Sequence, residues 1–348
     1  MNALARSLTL GATLLMSVLF APSLFAQHEQ ASSIHLSEPH RQISLAGLSG
    51  TWHRYWDKDY LITYGTDSTS EATPDRPSVT LYDRSGKVAR EAVVWFPDAY
   101  SVGINDAAVG KSGTLVVAAG ARNQQGVIAN FIAAIDTTGH MTNVIRTTPF
   151  LPIYVCAAED GTVWSFGLDR DADGKRVKES AMLRQYSFDK GQINALLYQS
   201  ALKSTGWELS RGRYPGEISL RCTSQRVGLY NACAGQYVEI DLPTGRLTAS
   251  KVEPVPSPHD MHVTGFALTE AGDVFVSLWG RSGDSPHSGI FKLSFDAEHV
   301  GSWVPVANSS GPYLHGGPVE RLLGTDGTEL IYTRDLDSMA YWSKTTNK

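Results

Sequence analysis

Apolar residues fall in short runs of four to eight, separated by tight polar or Gly-centred turns, and the same unit recurs along the chain. Ala107-Ala108-Val109 leads through Gly113 to Leu115-Val116-Val117, and Tyr154-Val155-Cys156 leads through Gly161 to Val163-Trp164. Ile218-Ser219-Leu220 leads to Val227-Gly228-Leu229-Tyr230, Phe266-Ala267-Leu268 to Val274-Phe275-Val276, and Leu322-Leu323 to Leu330-Ile331-Tyr332. Turn residues between runs of β-branched and aromatic residues signal hairpins.

A second hairpin accompanies each first one. Its turns lie at Ser85-Gly86, Thr138-Gly139, Lys190-Gly191, Thr244-Gly245 and Ala297-Glu298. Two hairpins make a four-stranded unit, A to D, on a repeat of roughly fifty residues. No helical pattern intervenes, so a parallel α/β sheet is excluded. The expected fold is an all-β propeller of about six four-stranded blades. Blade one is expected to span Trp52 to Phe96. The last unit ends after a C strand at Met339-Ala340-Tyr341-Trp342, so an N-terminal strand over Gln42 to Ala46 is expected to supply its outer strand and close the ring. A pair of packed β-sandwiches is the competing architecture.

This arrangement sorts the connections. A–B and C–D turns are tight and share one face. B–C connections (64–78, 120–127, 169–180, 280–288) and D–A connections (97–105, 204–216, 253–261, 307–317) are long and share the other. Varied loops on a rigid scaffold are where binding is placed.

The first residues read as an export leader. Arg6 precedes an apolar stretch from Leu8 to Phe20, Pro22 breaks it, and Ser23-Leu24-Phe25-Ala26 offers a cleavage site. The alternative is an uncleaved N-terminal anchor. The expected organisation is therefore a leader over 1–26 and one propeller domain over 27–348, periplasmic or secreted from a bacterium and monomeric. Of three cysteines, Cys156 and Cys222 occupy similar places in neighbouring repeats and form the preferred disulfide; Cys222–Cys233 and three buried free thiols are the alternatives. Charged residues make up 19% with a net charge of −5, and no Lys/Arg block occurs, which removes support for nucleic-acid binding.

Candidate chemistry is sparse. Asp169, Asp171 and Asp173 alternate before Gly174, a spacing that can surround Ca²⁺ or another divalent cation. Glu179 is one place short of the helix-flanked Ca²⁺ loop pattern, which leaves a hairpin loop site or a solvated acidic tip. His259, Asp260, His262, His287 and His315 sit in or beside the long loops and carry ligand types suited to Zn²⁺. Asp106 and Glu217 stand near the starts of inner strands, where paired carboxylates could perform acid–base work with Asp260, His259 or His315. Trp52, Tyr100, Tyr154, Trp207, Tyr214 and Tyr313 could form an aromatic rim. His53, Asn105, Arg122 and Arg281 join Trp52, Tyr100 and Tyr154 as ligand-binding candidates.

Asn105-Asp106-Ala107-Ala108-Val109 followed by Gly113-Thr114-Leu115 resembles the blade start of the six-bladed superfamily that includes regucalcin/gluconolactonase (SMP-30) and NHL-repeat proteins. In the lactonase branch, that resemblance implies a channel cation and a substrate contact at Asn105-Asp106. Thr51-Trp52-His53-Arg54 and Ile153-Tyr154-Val155 stand where that branch carries its first-blade Glu and third-blade Asn. No Gly-x-Ser-x-Gly, phosphate loop, Cys-x-x-Cys or His-Glu-x-x-His occurs. Two functions remain: a module that binds a small molecule, glycan or protein through the long-loop face, and a metal-dependent hydrolase, lactonase or lyase at the channel mouth.

Overall fold

The computed structural model describes residues 34–45, 54–65, 76–177, 179–198, 218–254, 261–280, 289–307, 321–334 and 339–347. The chain separates into two units, 1–32 and 33–348, and every described residue belongs to the second. The expected leader lies outside the described residues.

Two strands open the described chain, β1 (Ile34–Leu36) and β2 (Arg41–Ser44). Blade 1 is β3 (Arg54–Asp57), β4 (Tyr60–Gly65), β5 (Ser78–Tyr82) and β6 (Val88–Val93). Blade 2 is β7 (Ser101–Val109), β8 (Leu115–Arg122), β9 (Ile128–Ile135) and β10 (Met141–Arg146). Blade 3 is β11 (Phe150–Ala157), β12 (Val163–Asp169), β13 (Ala181–Ser187) and β14 (Gly191–Tyr198). Blade 4 is β15 (Ile218–Cys222), β16 (Arg226–Asn231), β17 (Gln236–Asp241) and β18 (Leu247–Val252). Blade 5 is β19 (Met261–Leu268), β20 (Val274–Gly280), β21 (Gly289–Phe295) and β22 (Val300–Ala307). The last unit holds β23 (Arg321–Asp326), β24 (Glu329–Arg334) and β25 (Met339–Asn347).

Within each unit, successive strands pair antiparallel. The outer partner of β25 comes from the N-terminal end. β2 pairs with it from Arg41↔Trp342 to Ser44↔Met339, and β1 from Ile34↔Asn347 to Leu36↔Thr345. β2 covers most of the strand expected over 42–46; β1, three residues long, was too short to register as a period-two pattern. Inner strands touch in the order β7, β11, β15, β19, β23, β3, and β4 packs on β7. The protein is an all-β propeller.

The core explains the unbroken apolar runs. Successive residues of a strand point to opposite faces, and here both faces are buried against neighbouring blades. On β8, Leu115, Val117 and Ala119 pack with Ile62, Val79 and Leu81 of blade 1. Val116 and Ala118 point the other way, onto Phe150, Val155 and Tyr186 of blade 3. Similar clusters fill the remaining junctions. Where β25 meets blade 1, Trp56 and Trp342 pack edge to face at 5.2 Å.

Two local devices repeat. Strand A carries a bulge in four blades, between Ile104 and Asp106, Pro152 and Tyr154, Val263 and Gly265, and Leu322 and Gly324. A bulge bends a strand and re-aims its side chains. The C–D turns of blades 1, 2, 4 and 5 are built on an Asp whose carboxylate accepts from the turn it opens, while blade 3 uses Ser187. Asp83 takes Ser85 N at 2.7 Å, Asp136 takes Thr138 N at 2.9 Å, and Asp296 takes Val300 N at 2.8 Å. The connections in blade 2 are shorter than expected, because β7 already begins at Ser101 and β8 runs to Arg122.

Candidate functional site

Asp106 sits on β7 just after the bulge residue Asn105, and it is 3% exposed. The Tyr64 hydroxyl of blade 1 lies 3.1 Å from its Oδ1, and the Val155 N–H of blade 3 donates to Oδ2 at 2.9 Å. Asn105 donates through Nδ2 to the Pro152 carbonyl at 2.8 Å, and its own carbonyl lies 3.1 Å from the Tyr64 hydroxyl. This pair therefore ties three blades together. Burial pushes the Asp106 carboxyl up to about 6, against the opposing pull of Arg221 and of the hydrogen bonds it accepts. Its neighbour Tyr64 is pushed well up, first by burial and then by the Asp106 charge.

One blade back, the same device recurs. Asp57, at the end of β3, accepts from the Val109 N–H of blade 2 at 2.7 Å, and burial raises its carboxyl. The cation facing these carboxylates comes from across the ring. Arg221 of β15 places its guanidinium 4.1 Å from the centre of the Tyr55 ring on β3, and its Nη1 donates to the Leu220 carbonyl at 2.9 Å. Arg221 acts electrostatically on Asp57, Asp106, Tyr55 and Tyr64 alike. Toward the tight-turn face, a cavity of about 110 Å³ is lined by Asp57, Lys58, Glu159 and Arg221. Beside Arg221, Cys222 is bonded to Cys156, joining inner strands of blades 3 and 4 across a Cα separation of 5.4 Å.

Both oxygens of Asp106, an expected acid–base residue, accept from the chain, and the side chain is buried among the described residues. Its proposed partners Glu217, His259, Asp260 and His315 lie outside the described residues, as do Trp52, His53 and Arg281. Tyr154 is half-buried, its ring 6.5 Å from that of Phe166.

The three carboxylates of the expected Ca²⁺ loop, Asp169, Asp171 and Asp173, have separate partners within the chain. Asp169 grips the Arg184 guanidinium with both oxygens, at 2.7 and 2.6 Å. Asp171 caps its own hairpin, accepting from Asp173 N at 3.0 Å and Lys175 N at 2.8 Å, and Asp173 points toward the Lys175 amine at 3.8 Å. Only Asp169 belongs to β12; Asp171 and Asp173 lie in the turn beyond it, and the three carboxylates serve different partners. Among the described residues, no group of three His, Cys, Asp or Glu side chains converges on one point.

Two of the expected contact residues do come together, on the long-loop face. Tyr100, in the connection into β7, donates its N–H to the Arg122 carbonyl at 2.7 Å. Arg122 ends β8 and stands opposite Ile128 at the start of β9. Tyr100 is 64% exposed, Val127 58% and Ile128 52%, and Arg122 is exposed beside them. Val127 falls within the long connection expected over 120–127 without being singled out, and Ile128 is passed over because an apolar residue opening a strand reads as core. Arg221 escaped the sequence reading because a single charge between Leu220 and Cys222 carries no periodic signal.

No family model matches the chain, and no curated protein matches it. Solved structures with a similar fold include the WD40 repeats of RRP9, 9% identical over 91% of this chain and 98% of that one, with a TM-score of 0.44. A gluconolactonase from Xanthomonas campestris is 13% identical over 86% of this chain and 99% of its own, with a TM-score of 0.36. A protein of Bacteroides fragilis named as exported is 10% identical over 91% of this chain and 96% of its own, with a TM-score of 0.49. At such identities no activity carries over, and the fold rests on the strand pairing itself.

Proposed function

We propose that the chain is an exported β-propeller that binds a small molecule, glycan or protein through its long-loop face, with Tyr100, Arg122, Val127 and Ile128 among the contact residues. The observation that carries this reading is their adjacency: an aromatic ring, two aliphatic side chains and a guanidinium share one exposed edge. Tyr and Arg are the residues that anchor interfaces, because each combines a large contact area with a polar end. The leader and the disulfide support an oxidising periplasmic or extracellular setting. No helix among the described residues is long and apolar enough to cross a membrane.

The hydrolase reading receives less support, since its one described member, Asp106, is consumed by contacts between blades. Native mass spectrometry of protein taken from its own compartment tests the binding reading. A co-purifying ligand is expected to be lost from the Tyr100→Ser, Ile128→Ser double variant. It should be kept by Arg246→Ser, a change on the opposite face. A ligand retained by the double variant contradicts the reading.

A further inference from the structure

We infer that the tight-turn face carries a second site, a groove between blades 1 and 2 that takes a small hydroxylated anion. A cavity of about 510 Å³ lies there, within the range of roughly 300–1,000 Å³ that small-molecule sites occupy. Lys58, Tyr60, Arg90, Lys111, Ser112 and Thr137 are among its walls, giving cations, hydroxyls and one aromatic ring.

The sign of the ligand follows from the ion pairs. Two carboxylates border the groove, and both are taken. Asp59 pairs with Arg84 at 2.8 Å, and Glu159 pairs with Lys58 at 2.9 Å. Arg90 gives its hydrogen bonds to the carbonyls of Asp136 and Gly113, which orient its charge without neutralising it. Among the described residues, Lys111 makes no ion pair. Among the described residues, neither Arg90 nor Lys111 forms a direct ion pair, although the Asp136 carboxylate acts on Arg90 from farther off.

The backbone points the same way. Lys58 and Ser112, in the A–B turns of adjacent blades, adopt positive φ angles of 54° and 56°. Residues other than Gly and Asn rarely take that conformation, which Asp98, Leu197 and His299 share elsewhere in the chain. Lys58 and Ser112 both line this groove. Ser112 is followed by Gly113 at φ 76°, so a glycine at the Ser112 position would fit the same turn without strain.

The test uses the full mature protein with glycerol 1-phosphate and tartrate as probes, glycerol as the neutral control, and sodium chloride to match ionic strength. A ligand that binds the folded state raises its melting point. At saturation, glycerol 1-phosphate or tartrate is expected to raise Tm by about 3 °C or more, and which of them acts separates a phosphate from a carboxylate site. Lys111→Ala should weaken that binding at least about tenfold. Ser112→Gly should raise the unliganded Tm while weakening binding, a pairing that a purely structural serine would not produce. The inference is overturned if neither anion shifts Tm, if glycerol or chloride shifts it equally, or if Lys111→Ala binds as the parent does. None of these results bears on the long-loop face.

Discussion

The guanidinium of Arg221 lies 4.1 Å from the centre of the Tyr55 ring, although the two residues belong to inner strands three blades apart. The contact bridges the central channel, and it brings positive charge to the buried Asp106 and, together with Lys58, to Asp57. Among the described residues, the Tyr55 hydroxyl is buried without a hydrogen-bond partner, so the ring face is what Arg221 uses.

That division of roles predicts unequal effects. Arg221→Met keeps much of the bulk but removes a cation that acts on both Asp57 and buried Asp106, and should cost about 3 kcal/mol of unfolding free energy. Tyr55→Phe keeps the ring and removes an unsatisfied hydroxyl, and should change stability by no more than about 1 kcal/mol, in the stabilising direction. Urea unfolding of both variants measures the difference; equal losses would contradict the account.

Asp106 makes stability depend on pH in an unusual direction for a carboxylate. In the fold it holds its proton up to about pH 6, whereas its ordinary value is 3.8. Between those values the folded state binds more protons than the unfolded state, so this group's favourable contribution is complete below about pH 4 and is lost as pH rises to 6. The full swing is about 3 kcal/mol. Asp106→Asn keeps an acceptor for Val155 N and should flatten the wild-type decline by about 1–3 kcal/mol between pH 4 and pH 7. Denaturant midpoints across that range give the answer, and parallel profiles for the two proteins would refute it.

The disulfide spans 66 residues and ties together strands that pack at a blade junction. Closing a loop of that length restricts the unfolded chain by about 4 kcal/mol. Replacing Cys156 and Cys222 together by Ser should lower stability by up to that amount. Unfolding of the double variant in the absence of reductant measures the loss, and no change would contradict a native bond.

At the junction of blades 5 and 6, Gly265 approaches β23 so closely that a Cβ would fall 2.0 Å from the Leu322 carbonyl oxygen. That contact is backbone, so neither side can yield cheaply. Gly265→Ala should cost about 3 kcal/mol or more and reduce soluble yield. A variant with parental Tm would show that the inner strands pack less tightly than described.

Much of the propeller was readable because its signals are local. Gly86, Gly139, Gly191 and Gly245 sit at the expected turns with positive φ, and the C strand at Met339-Ala340-Tyr341-Trp342 pointed to a partner from the N-terminal end. The pairing of Cys156 with Cys222 followed from their matching places in the repeat. The candidate site was less legible because its contacts join residues far apart in the chain. Asp106 reads in sequence as a channel carboxylate, and nothing near it in the chain announces its partners Tyr64 and Val155 from flanking blades. Asp169 reads as one of three alternating carboxylates, and its partner Arg184 lies across the sheet. Spacing along a strand specifies which face a side chain takes but says nothing about what the neighbouring strand presents there.

In the proposed function, ligand engages the long-loop edge of blade 2. A photo-crosslinking amino acid placed at position 128, and separately at position 246 on the opposite face, tests it in the protein's own compartment. The account predicts a discrete adduct from position 128, suppressed by Arg122→Ser, and none from position 246. An adduct from position 246 alone, or none from position 128 in a protein that still carries its ligand, would contradict it.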